Sequence, residues 1–326
     1  MTHAMILAAG LGTRLGGLSD ERPKPLLPVC DFSLIRYSIS LLAGHGIVDL
    51  VVNLHHRGEL ISDELRDGSR LGVRVTYSRE TEILGTGGGI RRALPHLGDE
   101  PFIVMNGKIV FDLDLDDVLQ RHRASGALAT LVVRRDADAT KWGAIDAPEE
   151  GGRIRGMLGA GDFMFTGVHV LSPELVARLP DDGAERCIVR QGYLPWLAEG
   201  VPIDAYVARG YFMEHSTPER YLTGNVNVLR GANLRHPPGP LVGVDPSAEV
   251  HPEAQLVPPV KVGPGAQIGA YAIVGPDVVV GSYAVVSAGM RLHRTILWPR
   301  AVVSEDAENA IFTPTQRVRV ALPSRA

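Results

Sequence analysis

The sequence is poor in cysteine, in excess charge and in long apolar runs, and each shortage excludes a class of protein. Its 326 residues include only two cysteines, Cys30 and Cys187, too few and too far apart for a disulfide framework or a zinc site. A formal charge of −4 gives no sign of a nucleic-acid partner. No run approaches the roughly 18–20 apolar residues of a membrane span, and the first residues lack a signal peptide's basic region. We therefore expect a cytoplasmic protein without nucleic-acid or membrane partners.

Strand and helix patterns alternate over the first two thirds of the chain. Short apolar runs predict buried strands at residues 4–9, 47–53, 72–78, 101–107 and 127–135. Helical periodicity between these runs is clearest where Ile35, Ile39 and Leu42 share one face, and it recurs at residues 56–68 and 114–126. The alternation predicts an α/β domain over residues 1–232 with a Rossmann-like, mostly parallel sheet. Ligands of such sheets bind at the carboxyl ends of the strands.

A repeat of six residues begins near residue 250, and it predicts a second domain over residues 241–313. Such a period is typical of a solenoid in which each short strand forms one side of a coil, and here it resembles the left-handed β-helix. A small or apolar residue stands two residues before each position of the repeat. The repeat positions are Val250, Leu256, Val262, Ile268, Val274, Val280, Val286, Leu292 and Trp298. The exposed edge of the last coil would need a cap, for which residues 313–326 are available, and we expect the β-helix to assemble a homo-oligomer.

A segment rich in glycine and cations follows the first predicted strand. Gly10 and Gly12 allow a tight turn whose backbone N–H groups face an anion, and Thr13 adds a hydroxyl. Arg14 matches phosphate oxygens with a planar fork, and Lys24 adds a compact positive charge. We call residues 10–14 the phosphate loop. A reaction that brings several phosphates together requires cations in this arrangement.

The string GLGTRL followed by RPKPLLPV resembles the signature of the sugar-1-phosphate nucleotidyltransferases. This family includes mannose-1-phosphate guanylyltransferases, some of which also carry hexapeptide repeats at the C-terminus, and N-acetylmuramate-1-phosphate uridylyltransferases. The resemblance implies transfer of a nucleotidyl group from a nucleoside triphosphate to a sugar 1-phosphate, with release of pyrophosphate. The domain arrangement favours mannose and GTP. The stretch RGMLGAGDF replaces a glutamate-lysine-proline element of many members and is closer to the uridylyltransferase branch, so the base and the sugar stay open.

The resemblance also implies roles for particular residues. Arg14 would stabilise the departing pyrophosphate, and Lys24 would orient the phosphate of the sugar. The motifs at residues 142–145 and 165–171 resemble strands that border the sugar, so Gly143, Thr166 and Gly167 are predicted there. The implied nucleotide contacts are Leu7, Ala9, Gly10, Gly12, Thr13, Gly85, Thr86, Gly87, Gly88, Asn106 and Lys108.

The predicted metal site departs from the family pattern. The resemblance implies Mg²⁺ held by an aspartate after Asn-Gly, but this chain has Lys108 there, and Glu214 takes the place of a second aspartate. Three interpretations of Lys108 stay open. Its ammonium group could neutralise the triphosphate; Asp112 or Asp114 could hold a displaced metal together with Glu214; or catalysis could be lost, leaving a regulatory protein that binds nucleotide-sugars. An artificial substitution at this position is a further alternative.

Two unrelated classes of enzyme are disfavoured. Acyl transfer on a β-helix normally needs a histidine base, and His251 and His293 are the candidates inside the repeat. The repeat has no long inserted loop that would form a groove for the acyl-coenzyme A. Dinucleotide-dependent redox chemistry expects a third glycine where this chain has Leu15. The sequence therefore predicts a nucleotidyltransferase.

Overall fold

The structure is a computed structural model that describes residues 2–321. Helices and strands alternate as far as the end of the last helix at Leu229. The helices are α1 (Leu18–Glu21), α2 (Leu34–Gly44), α3 (Gly58–Leu65), α4 (Gly85–Ala93), α5 (Leu115–Ser125), α6 (Ala139–Trp142), α7 (Pro173–Ala177), α8 (Leu194–Ala198) and α9 (Pro218–Leu229). The strands are β1 (His3–Leu7), β2 (Pro28–Val29), β3 (Phe32–Ser33), β4 (Asp49–Leu54), β5 (Arg74–Arg79), β6 (Phe102–Asn106), β7 (Ile109–Phe111), β8 (Ala129–Arg135), β9 (Ile145–Asp146), β10 (Gly152–Arg153), β11 (Gly156–Met157), β12 (Phe163–Leu171), β13 (Ile203–Val207) and β14 (Phe212–Glu214).

A mixed, mostly parallel sheet forms the centre of this region, as predicted. Its strand order is β10-β13-β8-β12-β6-β1-β4-β5. Strands β6, β1, β4 and β5 are mutually parallel, whereas β12 runs antiparallel to both of its neighbours. Each of the five predicted strands coincides with an observed one, and the predicted helices are α2, α3 and α5. The carboxyl ends of β1, β4, β5 and β6 therefore lie at one edge of the sheet, where the phosphate loop leaves β1.

The hexapeptide region folds into coils of short parallel strands. The strands are β15 (Gly243–Val244), β16 (Glu249–Val250), β17 (Gln255–Leu256), β18 (Val260–Val262), β19 (Gln267–Ile268), β20 (Ile273–Val274), β21 (Val278–Val280), β22 (Val285–Val286), β23 (Arg291–Leu297), β24 (Val302–Val303), β25 (Ala307–Phe312) and β26 (Arg317–Arg319). Strands of successive coils pair with an offset of 18 residues, such as Gln267 with Val285, so three hexapeptides make one turn. The interior is filled by the repeat positions, which confirms a β-helix.

The repeat fails at its last position. Val280 pairs with Leu297, an offset of 17 rather than 18 residues, so the register slips by one. Because successive side chains of a strand point to opposite faces, a slip of one residue exchanges the inside for the outside. Leu297 therefore occupies the coil interior, and Trp298 packs instead in the cluster shared with the N-terminal region. Trp298, the last position of the six-residue period, therefore lies outside the coil interior.

A shared apolar cluster joins the two regions. Trp298 and Ile296 pack in one cluster with Leu27, Tyr37 and Tyr221, all of them buried. This shared core makes the two regions interdependent. Their predicted boundaries, at residues 1–232 and 241–313, stay a proposal.

The chain after the β-helix caps the last coil and contacts the segment behind the phosphate loop. Strand β26 pairs antiparallel with β25, covering its edge; residues 322–326 of the predicted cap lie outside the described residues. Gln316 Nε2 donates to Gly17 O at 2.9 Å and to Glu21 Oε1 at 2.8 Å, and the Thr313 hydroxyl also donates to Glu21. Burial raises the pKa of the Glu21 carboxyl, but these hydrogen bonds outweigh it, so the pKa lies below its ordinary value. The capping segment thus braces the turn that follows the phosphate loop.

We expect Gln316→Ala to weaken anion binding at the phosphate loop. Loss of two hydrogen bonds should cost about 1–2 kcal/mol of stability and lower the affinity for pyrophosphate several-fold, because the turn at Gly17 loses its support. Calorimetric titration and thermal unfolding would measure both effects. The control is Gln255→Ala, which removes an exposed glutamine of the β-helix. Unchanged pyrophosphate affinity in Gln316→Ala would limit the brace to a structural role.

No helix within residues 2–321 is long and apolar enough to cross a membrane.

Candidate functional site

A cavity of about 400 Å³ opens at the carboxyl edge of the parallel strands. The phosphate loop forms one wall, and the segments after β4, β5 and β6 form the others. The predicted residues that line it are Leu7, Ala9, Gly10, Gly12, Thr13, Arg14, Lys24, Gly85, Thr86, Asn106 and Lys108. The fold therefore brings together most of the residues that the sequence analysis assigns to nucleotide and phosphate.

Local geometry explains the sequence of the phosphate loop. Gly12 has φ 74°, and a Cβ there would lie 3.3 Å from the Cβ of Ser19, so both conformation and space favour glycine. A 3₁₀ turn over Thr13–Leu15 follows and buries Leu15 as an apolar anchor. The anchor leaves the Arg14 side chain 58% exposed and free to reach a ligand.

Three cationic side chains lie at the phosphate end of the cavity, and two of them contact one carboxylate. Lys108 Nζ donates to Glu214 Oε1 at 2.6 Å, and Arg14 Nη2 lies 3.9 Å from the same oxygen. Burial raises the pKa of Glu214, but the charges of Lys108 and Arg14 and the hydrogen bond from Lys108 lower it below its ordinary value. Lys24 is buried on the same wall, and its pKa falls to about 8, first because of burial and then because of Lys108 and Arg14. The site is thus built to receive several negative charges.

The predicted metal ligands do not form a metal site. Strands β7 and β14 pair with Glu214 opposite Ile109 and Phe212 opposite Phe111. Asp112 therefore follows the end of β7 that lies away from Glu214, and its carboxylate accepts from the backbone N–H of Arg235 at 2.9 Å. The register of β7 with β14 separates Asp112 from Glu214, which argues against a metal ion shared by the two. Asp114 instead caps α5 by accepting from the N–H of Asp117.

The residues present at this position do not fit Mg²⁺. Protonated lysine has no lone pair to offer a cation, and Glu214 Oε1 already accepts from Lys108. The expectation of a Glu214-bound metal is therefore not supported by the donor set.

The predicted sugar residues do not line this cavity, and one of them, Gly167, supports its wall. Gly167 has φ 80°, and a Cβ there would lie 1.9 Å from Asn106 Nδ2, so this glycine makes room for the Asn106 side chain. The Thr166 hydroxyl donates to Val132 O at 2.7 Å within the bulge of β12. Gly143 ends α6 in a left-handed conformation. Their contact with sugar stays a prediction.

The glycine run after β5 divides into two parts. Gly85 and Thr86 line the cavity, and a Cβ on Gly85 would lie 2.5 Å from Arg186 O. Gly87 donates its N–H to the same carbonyl oxygen at 2.7 Å. Gly88 is buried behind it, so Gly87 and Gly88 pack the start of α4 against the chain near Arg186 and do not face the cavity.

Two polar residues of the site were missed by the sequence analysis. Asn53 Oδ1 accepts from the N–H of Ala8 at 2.7 Å, and Asn53 Nδ2 donates to Glu80 Oε1 at 2.7 Å. Glu80 Oε2 accepts from the N–H of Leu84 at 3.1 Å. This buried network ties the segments after β1, β4 and β5 together. The signal was present, because both residues stand at carboxyl ends of strands that were correctly predicted.

Anion binding should weaken above pH 8. A bound anion favours charged Lys24 and raises its pKa, so affinity is constant below about pH 8 and falls by up to about tenfold per pH unit above it. Titration with pyrophosphate at several pH values would measure the decline. Lys24→Arg is the control, because arginine stays charged over this range and the comparison cancels the ligand's own ionisation. Parallel pH profiles of the two proteins would contradict the assignment to Lys24.

Comparison with known proteins finds a known domain in each of the two regions of the chain. Residues 3–158 match the model of the family described as nucleotidyl transferase, and residues 259–289 match the bacterial transferase hexapeptide model. The chain is 31% identical to the mannose-1-phosphate guanylyltransferase of Mycobacterium tuberculosis over 234 residues, 70% of this chain and 65% of that protein. It is 27% identical to mannose-1-phosphate guanyltransferase beta-B of Xenopus laevis over 263 residues, 76% of this chain and 72% of that protein. The crystal structure of HddC from Yersinia pseudotuberculosis shares the fold, with a TM-score of 0.60, 24% identity and coverage of 70% of this chain and 100% of that one. Residues 3–158 therefore carry a nucleotidyl transferase domain, and residues 259–289 carry hexapeptide repeats.

Proposed function

We propose that the protein joins a sugar 1-phosphate to a nucleoside triphosphate, giving a nucleotide-sugar and pyrophosphate. The observation that carries the proposal is the convergence of Arg14, Lys24 and Lys108 on one cavity beside the phosphate loop. Mannose 1-phosphate and GTP are the first substrates to test, because the relatives named above are mannose-1-phosphate guanylyltransferases. This chain matches only 65% of the Mycobacterium tuberculosis protein, so the assignment of both substrates is part of the proposal.

In the proposed mechanism the side chains bind and orient the reactants. An anionic oxygen of the sugar phosphate attacks the α-phosphorus of the triphosphate, and the bond from that phosphorus to the bridging oxygen of the departing pyrophosphate breaks. Neither a protein nucleophile nor a general base is needed, because the attacking oxygen already carries charge. Lys24 holds the sugar phosphate, and Arg14 stabilises the charge that develops on pyrophosphate. Backbone N–H groups of the phosphate loop hold the triphosphate.

Release of pyrophosphate from a panel of nucleoside triphosphates and sugar 1-phosphates tests this function. We expect turnover by the native chain and loss of triphosphate binding in Arg14→Ala. Turnover would also name the base and the sugar. Tight binding of a nucleotide-sugar without turnover of any pair would overturn the proposal in favour of a regulatory protein.

We further propose that the protein works as a homo-oligomer in a reducing cytoplasm, where Cys30 and Cys187 stay free. Within the described residues, the strands of the first coil pair only with the second coil, and Val242, Val244 and Val257 are exposed beside them. Unpaired strand edges with apolar neighbours favour association. Light scattering should report a molar mass that is a multiple of the 35.0 kDa of one chain. The Val244→Glu variant should have a lower molar mass. A monomeric native protein would contradict the proposed homo-oligomer.

A further inference from the structure

The phosphate end of the cavity carries an excess of fixed positive charge. Arg14, Lys24 and Lys108 line it, and Glu214 is the carboxylate that contacts two of them. With Glu214 ionised, these four side chains have a net charge of +2, from three cations and one anion. The other lining carboxylates belong to Glu80, which is engaged with Asn53 and the N–H of Leu84, and to Glu185. The positive charge thus faces the position where the phosphate loop would hold a triphosphate.

Lys108 has a defined place in this cluster. It follows β6, two residues after Asn106, and the register of β7 with β14 sets it beside Glu214. The backbone is fixed as well, because the N–H of His215 donates to the carbonyl oxygen of Lys108 at 3.2 Å. The ammonium group remains partly accessible, with 27% of the side chain exposed, so it can exchange Glu214 for a phosphate oxygen without a change of fold.

We propose that Lys108 is the resident cation of this site, so that the nucleoside triphosphate binds as its metal-free anion. The inference rests on the proposed function. Glu214 holds the ammonium group in position before the nucleotide binds, and phosphate oxygens then replace the carboxylate. Lysine is suited to this role as a compact point charge with three donors.

A divalent cation would compete poorly for this position. To reach Glu214 Oε1 it would have to displace an ammonium group 2.6 Å from that oxygen, and it would then lie close to Lys108 and Arg14. Like charges a few ångströms apart repel strongly in a partly buried site. Magnesium also removes charge from the triphosphate that Lys108 and Arg14 would otherwise neutralise. We therefore expect Mg²⁺ to be unnecessary for binding and mildly inhibitory at high concentration.

Calorimetric titration of GTP and of inorganic pyrophosphate, each with EDTA or with Mg²⁺, tests the inference on the full chain. The native protein should bind both ligands without metal, with a Kd within about threefold of the value in Mg²⁺. In Lys108→Asp the metal-free affinity should fall by at least about thirtyfold, because the variant places a second carboxylate beside Glu214, and Mg²⁺ should restore much of the loss. Lys108→Gln should lose metal-free affinity without such rescue.

The matched control is Lys141→Asp, which makes the same change of charge at an exposed lysine paired with Asp138. It should leave both affinities unchanged. A native Kd that rises more than about tenfold when Mg²⁺ is removed would overturn the inference, as would native-like metal-free binding in Lys108→Gln.

The outcomes separate this inference from the proposed function. Metal-free binding of pyrophosphate and GTP with no turnover of any substrate pair would support the role of Lys108 and refute the transferase. Turnover that requires Mg²⁺, with weak binding in EDTA, would support the transferase and refute the role of Lys108. Failure of the native chain to bind either ligand in either buffer would refute both.

Discussion

Replacing Lys24 by methionine is expected to lower kcat/KM by about 10²–10³-fold while the protein becomes more stable. Lys24 is buried, and its pKa of about 8 lies below the ordinary value of 10.5 because burial and two neighbouring cations disfavour its charge. At neutral pH the charged form therefore destabilises the fold, and methionine fills similar space without charge. The gain in stability should be on the order of 1–3 kcal/mol. Initial-rate kinetics and denaturant unfolding measure the two effects.

The sign of the pH dependence checks the same assignment. Between pH 8 and 10.5 the unfolded chain keeps the Lys24 proton that the folded chain has lost, so native stability from this residue rises with pH. Lys24→Met should lack this rise. Lys141→Met, which removes an exposed lysine, is the control for both activity and stability. A loss of stability in Lys24→Met would mean that the ammonium group supports the fold. Nearly full activity in this variant would show that Lys24 does not take part in the reaction.

The sequence predicted the cavity where the chemistry depends on residues close together in the chain. Gly12 and Arg14 follow one strand, and their geometry is set by the turn that these residues themselves form. The features that the sequence did not predict depend on pairing between distant segments. Nothing near Asp112 in the sequence shows that the register of β7 with β14 carries it away from Glu214. Likewise, the contact of Lys108 with Glu214 joins residues 106 positions apart.

The β-helix also shows how far sequence spacing predicts structure. A period of six correctly places Val262, Val274 and Val280 in the coil interior, because each successive coil copies the one before it. The period persists in the sequence as far as Trp298, yet the pairing offset shortens to 17 residues before that point. Sequence spacing alone cannot reveal this slip, since Leu297 and Trp298 are both apolar. The slip is what places Trp298 in the core that the β-helix shares with the N-terminal region.

Trp298→Ala is expected to lower the free energy of unfolding of the whole chain by about 3–5 kcal/mol. The indole is fully buried between the β-helix and the N-terminal region, and its Nε1 donates to Tyr221 Oη at 3.0 Å. Alanine leaves a large cavity and removes a hydrogen bond from a buried hydroxyl, which also donates to Pro28 O. Because the cluster joins both regions, they should lose stability together in a single denaturant transition.

The matched control is Trp142→Ala, since Trp142 is 46% exposed and its loss should cost less than about 1 kcal/mol. Denaturant unfolding followed by far-ultraviolet circular dichroism would report on both regions, and the fluorescence of Trp196, which both variants keep, would report on the N-terminal region. Two separate transitions, with only the later part of the chain destabilised, would show that the regions fold independently. In that case removal of residues 241–326 should leave the nucleotide site intact, as a simple division at residue 232 would imply. The shared core instead predicts that this truncation exposes Leu27, Tyr37 and Tyr221 and destabilises the site.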